Sequence, residues 1–157
     1  MRLIFLGDVL GRSGREAVGR HLPVLREQYQ PDCVVVNGEN TTHGFGLSFE
    51  HYQFLRDAGA DVVTLGNHAF DQRELLLFIE REDRLIRPVN WPKGCPGRGS
   101  AMVETASGKR VLVIKLRHHG DVLLASPVFS VLKRHAPHLR IDALVYADTA
   151  PMLTLHP

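Results

Sequence analysis

The chain has 157 residues, and 19 Lys and Arg against 17 Asp and Glu leave a formal charge of +2 with nine His counted as neutral. A globule of this length buries about 70% of its unfolded surface, so one domain with a real core is expected. At 44% apolar and 23% charged residues, the composition excludes general disorder, collagen, a coiled coil and a polybasic nucleic-acid binder. Cys33 and Cys95 are too few for a disulfide framework and too far apart for a zinc knuckle, which fits a reducing compartment. The apolar start is interrupted by Asp8 with no cleavage site after it, and no run approaches the ~18 apolar residues of a spanning helix. The expectation is a cytoplasmic protein with neither a membrane nor polymeric nucleic acid among its partners.

In chain order, Leu3 to Leu6 reads as a short strand ending in Gly7-Asp8, and Arg15 to Gln28 sets Ala17, Val18, Leu22 and Leu25 at helical spacing. Asp32 to Val36 is a β-branched run of the kind buried on both faces of a sheet, and Ser48 is placed to cap a helix carrying Tyr52, Phe54 and Leu55. Asp61 to Leu65 repeats the buried strand, and Glu74 to Ile79 reads as a helix. A Pro- and Gly-rich stretch from Pro88 to Gly99 then precedes strands at Ala101 to Glu104 and Arg110 to Leu116. Further on, Asp121 to His135 has helical spacing and Ile141 to Tyr146 reads as a strand.

This alternation predicts an α/β protein, a three-layer sandwich with a mainly parallel central sheet in a single domain over 1–157. Pro151-Met152-Leu153 starts what reads as another helix just before Pro157. The expectation is therefore a truncated sandwich completed by chain exchange, in a homo-oligomer or domain-swapped dimer.

Three polar clusters follow three successive predicted strands: Asp8, then Asn37-Gly38-Glu39-Asn40, then Gly66-Asn67-His68. Ligands bind at that edge of an open α/β sheet. Taken singly, Asp8 and Asn40 read as turn or helix caps. Together the clusters offer hard oxygen ligands, carboxylates able to bridge two cations and amides as neutral donors, which is half of a dinuclear metal site for phosphoryl chemistry. His68 is placed to be the proton donor to a leaving group.

Arg12 and Arg15 open a helix in a Gly-rich segment, where arginines meet phosphate oxygens, but they read as solvated surface side chains. Cys33 reads as a buried apolar side chain rather than a nucleophile. Trp91 reads equally as part of a substrate-side loop and as an aromatic plug. His118 and His119 read as exposed loop residues, and the remaining scattered histidines receive no role.

The segments MRLIFLGDVLGRSGR, VVVNGEN, HGFGLS, DAGADVVTLGNHAFD and RPVNWPKGCPGRG closely resemble the bacterial branch of calcineurin-like metallophosphoesterases that hydrolyses cyclic nucleotides such as 2′,3′-cyclic AMP. The resemblance covers residues 1–113. It implies Asp8, Glu39, Asn40 and Asn67 as ligands of a two-metal iron or manganese site, His68 as catalytic histidine, and a cyclic nucleotide or phosphate as ligand. It also implies later histidine ligands from HAE-like and GTHTH-like motifs that this chain lacks, so the metal site is expected to be incomplete.

Residues 111–157 instead resemble the first βαβ unit of family 9 glycosyltransferases, the lipopolysaccharide heptosyltransferase group. That likeness implies an acceptor-sugar site at Gly120 and Asp121. A seam near 110–116 is therefore expected. The sequence supports a chimera carrying the amino-terminal half-site of a metal-dependent cyclic-nucleotide phosphodiesterase, weakly active or metal-binding only. Its alternatives are an engineered or recombined foldable chimera without catalytic function and, last, a sugar-acceptor binding fragment.

Overall fold

The computed structural model describes residues 1–115, 129–138 and 140–141. The chain divides into two compact units, Met1–Lys115 and Leu116–Pro157. In the second, residues 129–135 are helical, within the helix expected over Asp121 to His135. The rest of that helix, the strand expected from Ile141 onward apart from Ile141 itself, and His118, His119, Gly120 and Asp121 lie outside the described residues.

The first unit is built on four parallel strands in the order β1 (Leu3–Leu6), β2 (Cys33–Asn37), β3 (Val62–Thr64) and β4 (Leu85–Ile86). In register, Phe5 faces Val35, Val35 faces Val62, and Val63 faces Leu85. Every residue of β2 and β3 is buried, as expected of β-branched runs covered on both faces. Successive side chains alternate between the faces. Val34, Val36 and Val63 enter one core with Val18 and Leu22 of α1 (Gly11–Tyr29) and Tyr52 and Leu55 of α2 (Phe49–Asp57). Cys33, Val35 and Val62 enter a second core with Ala101, Val103 and Val111.

Those last three residues belong to β5 (Ser100–Glu104) and β6 (Arg110–Ile114), an antiparallel pair that forms its own two-stranded sheet. The strands expected there are present, but they are a hairpin and not a continuation of the parallel sheet. The physical reason is length: residues 105–109 are too few for the crossover of a dozen or more residues that a parallel return requires. Helices thus cover one face of the central sheet and a hairpin covers the other.

Two further departures from the sequence reading are local. Residues expected as a helix over Glu74 to Ile79 form a 3-10 helix at Arg73–Leu77. Leu75 N donates to Gln72 O and Phe78 N to Leu75 O, three-residue closures typical of so short a segment. β4 adds two residues after it, too short to show a period of its own.

Polar side chains fix the strand starts. Asp61 Oδ2 accepts from Val34 N at 2.8 Å and from Arg26 Nη1 at 2.9 Å, joining β2 to α1. Asp32 accepts from Arg2 N at 2.7 Å and from Ser107 Oγ at 3.2 Å, joining β1 to the hairpin turn. The backbone bond from Arg2 is the main reason that the Asp32 carboxyl lies below its ordinary pKa. Ser48 caps α2 as expected, its Oγ accepting from His51 N at 3.3 Å.

Candidate active site

Parallel pairing brings the carboxyl ends of β1, β2 and β3 to one edge of the sheet, and each is followed by one of the polar clusters. Asp8 does not cap α1, whose N-cap is Leu10 without a side-chain bond. Its Oδ2 instead accepts from Asn40 Nδ2 at 2.5 Å, so the first and second clusters are joined. The Asn40 carbonyl in turn accepts from Gly11 N at 2.9 Å and Gly44 N at 3.2 Å, which fixes this residue between the start of α1 and the glycine-rich loop that carries Gly44 and Gly46.

Glu39 is buried and its carboxylate reaches the third cluster. Oε1 accepts from Asn37 Nδ2 at 3.0 Å and Oε2 from His68 N at 3.3 Å, while Glu39 N donates to Asn37 Oδ1 at 3.3 Å. Gly66 leaves the space in which this carboxylate lies, since a Cβ there would stand 2.2 and 2.4 Å from its two oxygens. His68 Nδ1 lies 2.5 Å from Asp71 Oδ2, and its ring meets Phe45 nearly edge-on, with centroids 5.4 Å apart at 75°. Asn67 is exposed beside it.

The clusters therefore meet as two bonded pairs, Asp8 with Asn40 and Glu39 with the backbone of His68. Among the described residues, no three His, Cys, Asp or Glu side chains gather into a metal cage. Asn40 Oδ1, however, is buried without a hydrogen-bond partner. An amide oxygen left bare beside a carboxylate is a hard neutral donor of the kind a divalent cation accepts, and a buried polar atom in such a state otherwise carries an uncompensated desolvation cost. The donor set of two carboxylates and two amides fits a divalent metal in this respect.

The loop behind the site carries a second polar network. Thr42 Oγ1 accepts from Ser48 N at 2.8 Å and makes a second hydrogen bond with His51 Nδ1 at 2.8 Å. Burial, followed by the nearby Arg15 charge, holds His51 below the ordinary histidine pKa.

Of the two arginines, only Arg12 follows the solvated reading. Arg12 is an exposed side chain ion-paired with Glu16 at 2.7 Å, and that hydrogen bond is the main cause raising its pKa. Arg15 is not merely solvated: it donates to Thr41 O at 2.5 Å. Trp91 stacks edge-on against Phe70, centroids 4.9 Å apart, and packs against the helix-side core, as a plug would. Cys33 is buried, and burial pushes its thiol up to about 11, so it is no nucleophile at neutral pH.

Asn37, Phe45, Gly66 and Asp71 shape the site without having been singled out as its functional residues. Asn37 sits two residues before Glu39, the span of a side-chain-to-backbone turn. Asp71 follows His68 by three residues, the span of one turn, and this spacing is a usable signal.

A family model described as YmdB-like protein matches residues 4–147. The chain belongs to that family. A 2′,3′-cyclic-nucleotide 2′-phosphodiesterase of Bacillus subtilis is 44% identical over 149 residues, which are 90% of this chain and 56% of that protein. This chain thus spans about half the length of that relative. Two crystal structures are similar to it. A hypothetical protein from Thermus thermophilus has a TM-score of 0.69 at 44% identity, over 74% of this chain and 44% of the other. A novel phosphatase from Mycoplasma pneumoniae has a TM-score of 0.67 at 39% identity, over 74% and 42%.

Both agree with an α/β fold on a mainly parallel sheet. The second expected likeness is short. Lipopolysaccharide heptosyltransferase 3 of Escherichia coli is 50% identical over 42 residues, 27% of this chain and 12% of that protein. The YmdB-like match runs on to residue 147, past the seam expected near 110–116 and past the limit expected at residue 113, and so gives a chimera no support.

Proposed function

We propose that this chain performs metal-dependent phosphodiester hydrolysis at the edge formed by β1, β2 and β3, with a cyclic nucleotide as substrate. The observation that carries the reading is the bare, buried Oδ1 of Asn40 beside Asp8. The name of the Bacillus relative supports the cyclic nucleotide.

Asp8, Glu39, Asn40 and Asn67 would hold the metal, iron or manganese. A divalent metal bound there polarises a phosphoryl oxygen and stabilises charge as it develops on the phosphate. The protein's own part is positional and acid-base. Asn37 and the His68 amide hold the Glu39 carboxylate in one orientation. Asp71 engages His68 at Nδ1, so Nε2 is the ring atom that can deliver a proton to the leaving oxygen as the oxygen of a water molecule bonds to phosphorus and the bond to the leaving oxygen breaks.

Thermal unfolding with and without Mn²⁺, run beside hydrolysis of 2′,3′-cyclic AMP, tests the reading. A ligand that binds only the folded state at 100 times its Kd adds about 2.7 kcal/mol, so the midpoint should rise with Mn²⁺ and both effects should vanish in Asp8→Ala. The second reading, a recombined chain without catalysis, is favoured only by the 42-residue heptosyltransferase likeness. Cooperative unfolding indifferent to Mn²⁺ and chelator, without hydrolysis, would overturn the first reading in its favour.

A further inference from the structure

Phe45 is a large aromatic side chain left 58% exposed, yet its backbone is held at both ends. Its N donates to Thr42 O at 2.9 Å, and its carbonyl accepts from Gln72 Nε2 at 2.7 Å. It is flanked by Gly44 at φ +91° and Gly46 at φ +75°, backbone conformations that side chains rarely adopt. A Cβ at Gly46 would stand 2.7 Å from Gln72 Cγ and 2.9 Å from Gln72 N, so this turn is also pressed against the next segment. The backbone that carries the ring is thereby held in place, and the ring itself is in contact with the ring of His68.

Core packing does not account for this arrangement, because the ring belongs to neither apolar core. An exposed aromatic ring on a backbone already held in place, beside a proton donor, is what a planar, apolar part of a substrate would use, since little backbone ordering entropy is left to lose on binding. From this placement we propose that Phe45 is a specificity-determining residue, the platform on which the substrate's nucleobase stacks while its phosphodiester lies at His68. The assignment rests on the phosphodiesterase reading of the site and adds to it the part of the substrate that is not phosphate.

Equilibrium binding in the presence of Mn²⁺ tests it, with inorganic phosphate and adenosine 3′-monophosphate as probes on the parent chain, Phe45→Ala and Phe45→Tyr. Base stacking on an aromatic ring changes affinity by roughly 5- to 100-fold. The nucleotide should bind the parent more tightly than phosphate does, lose about that factor in Phe45→Ala and regain it in Phe45→Tyr, while phosphate binding stays constant. Equal losses for both probes, or no loss for the nucleotide, would overturn the platform and leave the phosphate site standing. A parent chain that binds neither probe would overturn the site reading and the platform together.

Discussion

Replacing Gly66 by alanine tests whether the buried Glu39 carboxylate is truly locked across the third loop. The residue needs no left-handed backbone, so the substitution acts through space alone: the new methyl would overlap both carboxylate oxygens at 2.2 and 2.4 Å. The carboxylate must move, giving up the bonds from Asn37 Nδ2 and His68 N. Overpacking costs about 1–3 kcal/mol and the loss of a hydrogen bond to a charged group about 1.5–3 kcal/mol. These overlap as relief of one raises the other, so a net loss of roughly 2–4 kcal/mol is expected, which for a chain of this length is a fall in Tm of roughly 4–16 °C.

Thermal and urea unfolding of Gly66→Ala, Glu39→Ala and the double variant would measure the loss and its origin. In the Glu39→Ala background the methyl meets no carboxylate, and the cost of Gly66→Ala should shrink to a few tenths of a kcal/mol, giving a coupling on the order of 2 kcal/mol. An unchanged cost in that background would refute the assignment of Gly66 to Glu39.

Two other substitutions test the loop behind the site and the start of β2. Unfolding stability should fall on acidification as pH drops through the ordinary histidine range toward the depressed folded pKa of His51, because the unfolded chain takes up that proton first; pH-dependent urea unfolding should show a shallower slope in His51→Gln, and an unaltered slope would speak against it. Removing the Asp61 carboxylate as Asp61→Ala leaves Val34 N without its acceptor in a fully buried strand and should lower stability by about 1–3 kcal/mol in equilibrium urea unfolding, with Asp61→Asn recovering part of it through its remaining oxygen.

The parallel sheet is legible because Asp32 to Val36 and Asp61 to Leu65 are β-branched runs, the pattern expected of strands buried on both faces. The hairpin escapes a reading by alternation of elements although its signal is present. Ala101 and Val103 alternate with exposed Met102 and Glu104, and the short connection at 105–109 already excludes a crossover. β4 is beyond reach, since two residues carry no period and its pairing is decided by β3 alongside it.

At the site, the sequence discloses which polar residues follow the strands, because strand ends impose a common edge. It does not disclose how they divide their bonds. That Asn40 gives its amide hydrogen to Asp8 and keeps its oxygen bare depends on the distance between two strands, as the Glu39 and Gly66 fit depends on a methyl's worth of space. The phosphodiesterase resemblance itself rests on motifs within residues 1–113, whereas the family match continues to residue 147, across a stretch whose motifs carry another likeness.

The glycine-rich loop owes its course to main-chain bonds: Gly44 N to Asn40 O, Gly46 N to Glu39 O at 2.6 Å, and Phe45 N to Thr42 O. None of these depends on which side chain position 45 carries. Mutation there can exchange one exposed group for another while the course of the loop through Glu39 and Asn40 is preserved, so the group displayed beside His68 is separable in inheritance from the loop that displays it.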